Sequence, residues 1–231
     1  MKTPQQAVST SRPDVSTSTD SQRLPQGSST RTDCLSAVEA RRSYRRLSSA
    51  SPIPDSRLLD IVRSIVKFSP SSHNSQSTRL LILLGNDHKE FWDITLSTLK
   101  GMVSSSRIGP TEEKIQGLRS AYGTILCYED LATVRKLENS YPLYKDNFMS
   151  WSEQTNAMHQ ILLWTALESE GLGCTLQHYN PLIDEKIAIR WNVSSDWSLK
   201  GQLVFGIPSG TPEPKTYKPL EERIIVFGGE L

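Results

Sequence analysis

Four short segments carry residue types suited to holding a flat, anionic ligand. Arg41-Arg42-Ser43-Tyr44-Arg45-Arg46 sets four guanidinium groups around one small hydroxyl. Guanidinium binds phosphate through charge-assisted, often paired hydrogen bonds, and serine adds a short donor. Pro70-Ser71-Ser72-His73-Asn74-Ser75-Gln76 is a row of small donors and acceptors of the kind that addresses the edge of a heterocycle. In Gly171-Leu172-Gly173-Cys174-Thr175-Leu176-Gln177-His178, two glycines allow a sharp turn or a close backbone approach to a ring. Lys218-Pro219-Leu220-Glu221-Glu222-Arg223 offers two further cations near the C-terminus.

Each segment also has a plainer reading. These are a solvated helix end with arginines at the negative dipole terminus, a polar turn, a helix stop and an exposed charge run. His73 and His178 lie inside candidate segments, where each can touch a substrate or serve as a hydrogen-bonded structural residue. Other chemistries lack their signatures. No GxSxG elbow or Walker loop occurs, the histidines show no metal-ligand spacing, and Gly171-Leu172-Gly173 has no third glycine for a dinucleotide fingerprint. No metal is expected, and no carboxylate pair or triad marks a catalytic side chain.

The elements that must position these segments follow from hydrophobic period. A helix capped by Asp33 carries Leu35, Ala37 and Val38. A second begins after Pro54-Asp55, with Leu58, Ile61, Val62, Ile65 and Val66 on one face, and stops before Pro70. Residues 79–84 form a continuous apolar run that suits a strand buried on both faces, closed by Gly85 and followed by a helix from Asp87 through Phe91, Ile94, Leu99 and Met102. Residues 104–111 read as a loop, then a short helix through Leu118 precedes a strand at 124–128. The longest helix spans about 150–170, with Ala157, Ile161, Trp164 and Leu167 on one side, and Gly171 and Gly173 end it. Strands near 175–177 and 203–205 flank a helix through Ile183, Ile187 and Trp191, and residues 220–227 are able to add a strand or reach a partner chain. The expected class is α+β, a small central mixed sheet flanked by helices.

The chain has 231 residues, 36% of them hydrophobic and 22% charged, which suits one domain. Residues 1–32 are rich in Ser, Thr, Pro and Gln and are expected to form a disordered tail, leaving 33–231 as the folded domain. A net charge of +1 gives no general drive toward nucleic acid or an anionic membrane, and no apolar run is long enough to span a bilayer. Without a signal-like N-terminus, and with three widely spaced cysteines (Cys34, Cys127, Cys174), the expected setting is reducing: the cytoplasm, or cytoplasm and nucleus.

The order of the segments is more specific than any one of them. RRSYRRL, PSSHNSQSTRLLILLG, YPLYKDNF, WSEQ, GLGCTLQHYNPLID, QLVFGIP and KPLEERIIVFG span about residues 37–228. Together they resemble the nitroreductase-like family, most closely the subgroup named for a fungal fatty-acid-repression mutant. The resemblance implies a domain-entwined homodimer that binds FMN and uses NAD(P)H to reduce a small acceptor such as a nitroaromatic, a quinone or a secondary-metabolite intermediate. It places Arg41, Ser43 and Arg45 at the FMN phosphate, ribityl chain and ring edge, with Arg223 near the phosphate. Pro70, Ser71, Ser72, Asn74 and Gln76 fall in the loop that reaches the flavin held mainly by the other subunit. Gly173, Thr175, Leu176 and Gln177 fall beside the isoalloxazine, and His73 and His178 are the substrate candidates. Ser77-Thr78 stand where broader bacterial relatives have Pro-Trp, and His73 replaces an apolar residue. The alternative reading is a regulatory or repurposed protein on the same fold, with little or no flavin turnover.

Overall fold

The computed structural model describes residues 34–229, apart from the Ser105 side chain; the expected 1–32 tail and the Asp33 cap lie outside the described residues. The first helix, α1, is Cys34–Ala40, followed by a two-residue strand β1 at Leu47–Ser48. Helix α2 (Asp55–Phe68) starts after Pro54 and buries Leu58, Ile61 and Val62, as its period requires. Strand β2 (Thr78–Leu84) passes at Gly85, φ 55°, into α3 (Gly85–Lys100). Helix α4 (Ser105–Arg119), strand β3 (Gly123–Asp130) and helix α5 (Leu131–Ser140) follow. The long α6 (Phe148–Ser169) leads to β4 (Gly173–Gln177), α7 (Asp184–Trp191) and β5 (Trp197–Pro208).

The five strands run in the order β1-β5-β3-β2, with β4 also on β5. Among the described residues all four ladders are antiparallel, and a parallel bridge of Ser43 to Cys174 makes the sheet mixed. Because side chains alternate across a strand, β3 and β5 feed two cores. Leu126, Tyr128, Leu199 and Val204 pack with Phe91, Trp92, Ile115 and Ile187 from α3, α4 and α7. Ile125, Cys127, Leu203 and Phe205 pack on the other face with Leu58, Ile61, Leu163 and Leu167 from α2 and α6. Strand β2 is only partly buried, since it lies at the sheet edge.

Three expectations are corrected. Residues 104–111 are not a loop: α4 begins at Ser105 and runs through Pro110, its core contact supplied by Ile115 and Leu118. Residues 220–227 add no strand; a single 3-10 turn occupies Leu220–Glu222. Helix α6 buries only part of the apolar side read from its sequence. Leu167 is buried, but Ile161 is 43% exposed and Trp164 half-buried, while Ser152, Thr155, Asn156, His159 and Gln160 face inward beside Leu163. A buried polar cluster on β3, described below, selects that face. Among the described residues, no helix is long and apolar enough to cross a membrane.

Candidate functional site

The arginine segment is fixed by the end of α6. The Arg42 N–H donates to Glu168 Oε2 at 2.9 Å, and Trp164 Nε1 donates to Glu168 Oε1 at 2.7 Å. Burial pushes the Glu168 carboxyl up, opposed by these hydrogen bonds and by Arg41. The Arg41 guanidinium lies 4.6 Å from the Trp164 ring centre, a cation–π contact. Two residues on, the Tyr44 N–H donates to the Cys174 carbonyl at 2.9 Å and sets Ser43 beside the first residues of β4.

The glycines at the end of α6 have separate jobs. Gly171, φ 86°, ends the helix in a left-handed conformation that a side chain resists. Gly173 lets the Tyr44 ring and Pro208 close over β4: a Cβ there meets Pro208 Cγ at 2.7 Å and the ring at 3.0 Å.

This packing opens a cavity of about 730 Å³ between the arginine segment, α4 and β4. Ser43, Arg45 and Arg46 form one wall, Thr175, Leu176 and Gln177 a second, and Glu113, Lys114 and Gly117 a third. Gln177 Nε2 donates to Thr175 Oγ1 at 3.0 Å, which ties the β4 wall together. The volume falls within the roughly 300–1,000 Å³ typical of small-molecule sites. Three cations against one carboxylate favour an anion, and Gly117, with no heavy atom within 4 Å of an added Cβ, leaves room for a broad ligand.

The structure therefore brings Ser43, Arg45, Thr175, Leu176 and Gln177 together, with Gly173 at the base of β4. Arg41 is turned to Trp164, away from the cavity lining. His178 lines a different depression with Asn180, Asp184 and Lys200. Gln76 lies in another, beside Thr78, Arg79 and His159. Arg223 follows the 3-10 turn on an exposed stretch outside the cavity lining. Arg46 belongs to the arginine segment read from the sequence, whereas Glu113 and Lys114 carry no motif of their own. Residues 110, 114 and 118 repeat at helical spacing, which points to Lys114 once the helix is extended back through Pro110.

The loop 70–77 also lies away from this cavity and has an unusual backbone. His73, Asn74 and Gln76 have φ of 53°, 51° and 49°, and His73 packs against Tyr141, Phe148 and Trp151 with centroids 4.8, 5.2 and 5.8 Å away. Non-glycine residues in this region are uncommon and collect at ligand-binding segments.

A mixed sheet between two helical layers, with a cationic cleft against the last residues of β4, is the architecture of a nitroreductase-like fold. Residues 38–207 match the Nitroreductase family, and the chain belongs to it. That family consists of FMN-dependent enzymes that use NAD(P)H to reduce small acceptors. The chain is 33% identical over 185 residues to the putative nitroreductase HBN1 of Saccharomyces cerevisiae, covering 79% of this chain and 92% of that protein. The nitroreductase FRM2 of the same yeast is also 33% identical, over 187 residues, with the same shares covered. Among solved structures, nitroreductase CinD from Lactococcus lactis in complex with nicotinic acid is 39% identical, with a TM-score of 0.78 over 84% of this chain and all of that one.

Proposed function

We propose that FMN occupies the cavity between the arginine segment, α4 and β4, and that a homodimer completes the site. The observation that carries this reading is the convergence of Ser43, Arg45, Arg46 and Lys114 on a cleft walled by Thr175–Gln177. The donor set fits the group: guanidinium and hydroxyl for a phosphate and polyol chain, a lysine and an amide for the ring edge. When bound, FMN supplies the redox chemistry, taking hydride from NAD(P)H and passing electrons to the acceptor. The chain's own part is to hold the phosphate, fix the ring against β4 and keep a cation near its polar edge.

Dimerisation is supported by apolar surface left open in one protomer. Ile161 and Leu162 on α6, Val66 and Phe68 on α2, and Ile224 to Phe227 near the C-terminus are all exposed, more than an isolated small domain usually leaves uncovered. A second copy covering α6 accounts for its outward apolar side. It also brings loop 70–76, His73 included, and Arg223 toward the neighbour's cavity.

The acceptor proposed is a small planar aromatic. Structures of CinD hold nicotinic acid, chloramphenicol and 4-nitrophenol, each of which carries an aromatic ring. The test is to titrate FMN, reduce the complex anaerobically with NAD(P)H, and add 4-nitrophenol. Binding, bleaching and recovery of flavin absorbance on adding the acceptor are expected. A protein that takes up FMN but is not reoxidised by any nitroaromatic or quinone would remove the acceptor class.

A further inference from the structure

Beneath the strained loop lies a carboxylate with no charged partner. Glu129 on β3 is 0% exposed, and no ion pair among the described residues includes it. The Ser77 hydroxyl donates to its Oε2 at 2.5 Å, and the Thr78 hydroxyl and Asn156 Nδ2 donate to Oε1 at 2.6 and 2.9 Å. Asn156 also donates to the Tyr128 carbonyl at 3.0 Å and accepts from Gln160 Nε2 at 2.6 Å, so α6 is tied into the same cluster. A buried carboxyl group compensated only by neutral donors is a costly way to hold a sheet to a helix, and an apolar side chain would serve packing as well.

What the carboxyl group does that an apolar residue cannot is fix two hydroxyls at the foot of the loop. Ser77 and Thr78 directly follow His73, Asn74 and Gln76, whose left-handed conformations persist only if the surroundings over-determine them. Within the loop, the Asn74 N–H donates to the Ser71 carbonyl, the Ser75 N–H to the Ser72 carbonyl and the Gln76 N–H to Ser71 Oγ, while Ser72 Oγ lies 3.1 Å from His73 Nδ1 and Ser75 Oγ 3.3 Å from Ser77 Oγ, the hydroxyl that Glu129 holds. Flanking ties run to the same strand. The Asp130 N–H donates to the Ser77 carbonyl at 2.9 Å, and Arg79, paired with Asp130, donates to the Gln76 carbonyl at 2.6 Å. On α6, Thr155 Oγ1 accepts from the Ser72 N–H at 3.4 Å.

We infer that Glu129 is a positioning residue that locks loop 71–77 into its left-handed shape, so that Ser72 and Asn74 meet the flavin already ordered. This rests on the reading of that loop as the wall a partner subunit lends to the FMN site. Removing one acceptor lone pair or one hydroxyl loosens the loop, and the ordering cost is then met at binding, as weaker cofactor affinity.

The experiment compares full-length wild type with Glu129→Gln, and with the milder Thr78→Val and Ser77→Ala should Glu129→Gln not fold. Amide hydrogen exchange and FMN affinity are both measured. The expected result is at least tenfold faster exchange at Asn74, Ser75 and Gln76, with Ile125 and Leu126 in β3 unchanged. FMN Kd rises at least fivefold, while kcat at saturating FMN stays within twofold. Unchanged loop exchange, or acceleration spread evenly over the sheet, overturns the clamp. A loosened loop with unchanged FMN Kd overturns its coupling to the cofactor. If the wild type takes up no FMN, the flavin reading fails on its own, and the exchange contrast still accepts or rejects the clamp.

Discussion

Lowering the pH from 7 to 5 is expected to cost this protein about 2 kcal/mol of stability through His88 alone. His88 is 1% exposed on α3, with Nδ1 bonded to the Thr124 hydroxyl at 2.9 Å and Nε2 to the Arg119 carbonyl at 3.2 Å. Burial lowers its pKa to about 4, against a backbone hydrogen bond to Arg119 that pulls the other way. In the unfolded chain the imidazole takes up its proton near 6.5, so between 6.5 and 4 the unfolded state binds more protons than the folded one. Stability contributed by the neutral ring is full above 6.5 and lost progressively as pH falls toward 4. At about 1.4 kcal/mol per pH unit the loss approaches 3 kcal/mol at pH 4, of which about 2 falls above pH 5, before most carboxylates titrate. Urea unfolding at pH 7 and pH 5 measures it in the wild type and in His88→Gln. The variant starts less stable but lacks this pH term. Equal losses in the two proteins over that interval would refute the assignment.

Other expectations follow from the same packing. Gly173→Ala forces a methyl group into Pro208 and the Tyr44 ring and should cost about 1–3 kcal/mol, read as a lowered thermal midpoint. Phe91→Ala empties a fully buried position between α3 and the sheet, and a loss of about 3–5 kcal/mol in urea unfolding is expected. Iodoacetamide should label exposed Cys34 in the native protein and spare Cys127 and Cys174, whose thiols burial pushes up, Cys127 to about 12; mass spectrometry before and after urea checks this. Arg45→Ala and Lys114→Ala should each weaken FMN binding about tenfold and flatten its salt dependence, and unchanged affinity in both would place FMN outside this cleft.

The parts of the fold legible in sequence are those whose pattern and burial agree. Helix α2 shows its face in Leu58, Ile61 and Val62, and β3 shows its two-sided burial in an unbroken apolar run. Only the first half of α4 departs from the sequence reading: Gly109-Pro110 resemble a loop, whereas the helix through Leu118, docked on the core by Ile115 and Leu118, extends back to Ser105. Strand β5 is much longer than its apolar centre, since Gly201 and Gln202 are buried, Gly201 paired with Cys127 of β3 and Gln202 with Leu126 of β3 and Gln177 of β4. On α6 the sequence pattern is followed at Leu167 but not at Ala157 and Ile161: Glu129 draws Asn156 and its polar neighbours inward, a long-range demand no local window contains. At the candidate site, the arginine segment and the β4 turn were legible because each is local. Their meeting depends on the Tyr44 to Cys174 hydrogen bond, and Lys114 enters only through α4. Loop 70–76 and Arg223, which the resemblance placed at the flavin, stand apart from the cavity within one protomer.

The central claim is that the cleft between the arginine segment, α4 and β4 holds FMN. Its most direct measurement is the absorbance spectrum of the purified full-length protein, before and after FMN is added and passed through a desalting column, then under anaerobic NAD(P)H. The account predicts flavin absorbance that travels with the protein and bleaches on reduction, and that is largely lost when Arg45 and Lys114 are both replaced by alanine. A protein that neither retains nor takes up FMN, or one that binds it equally well without those two cations, would contradict it.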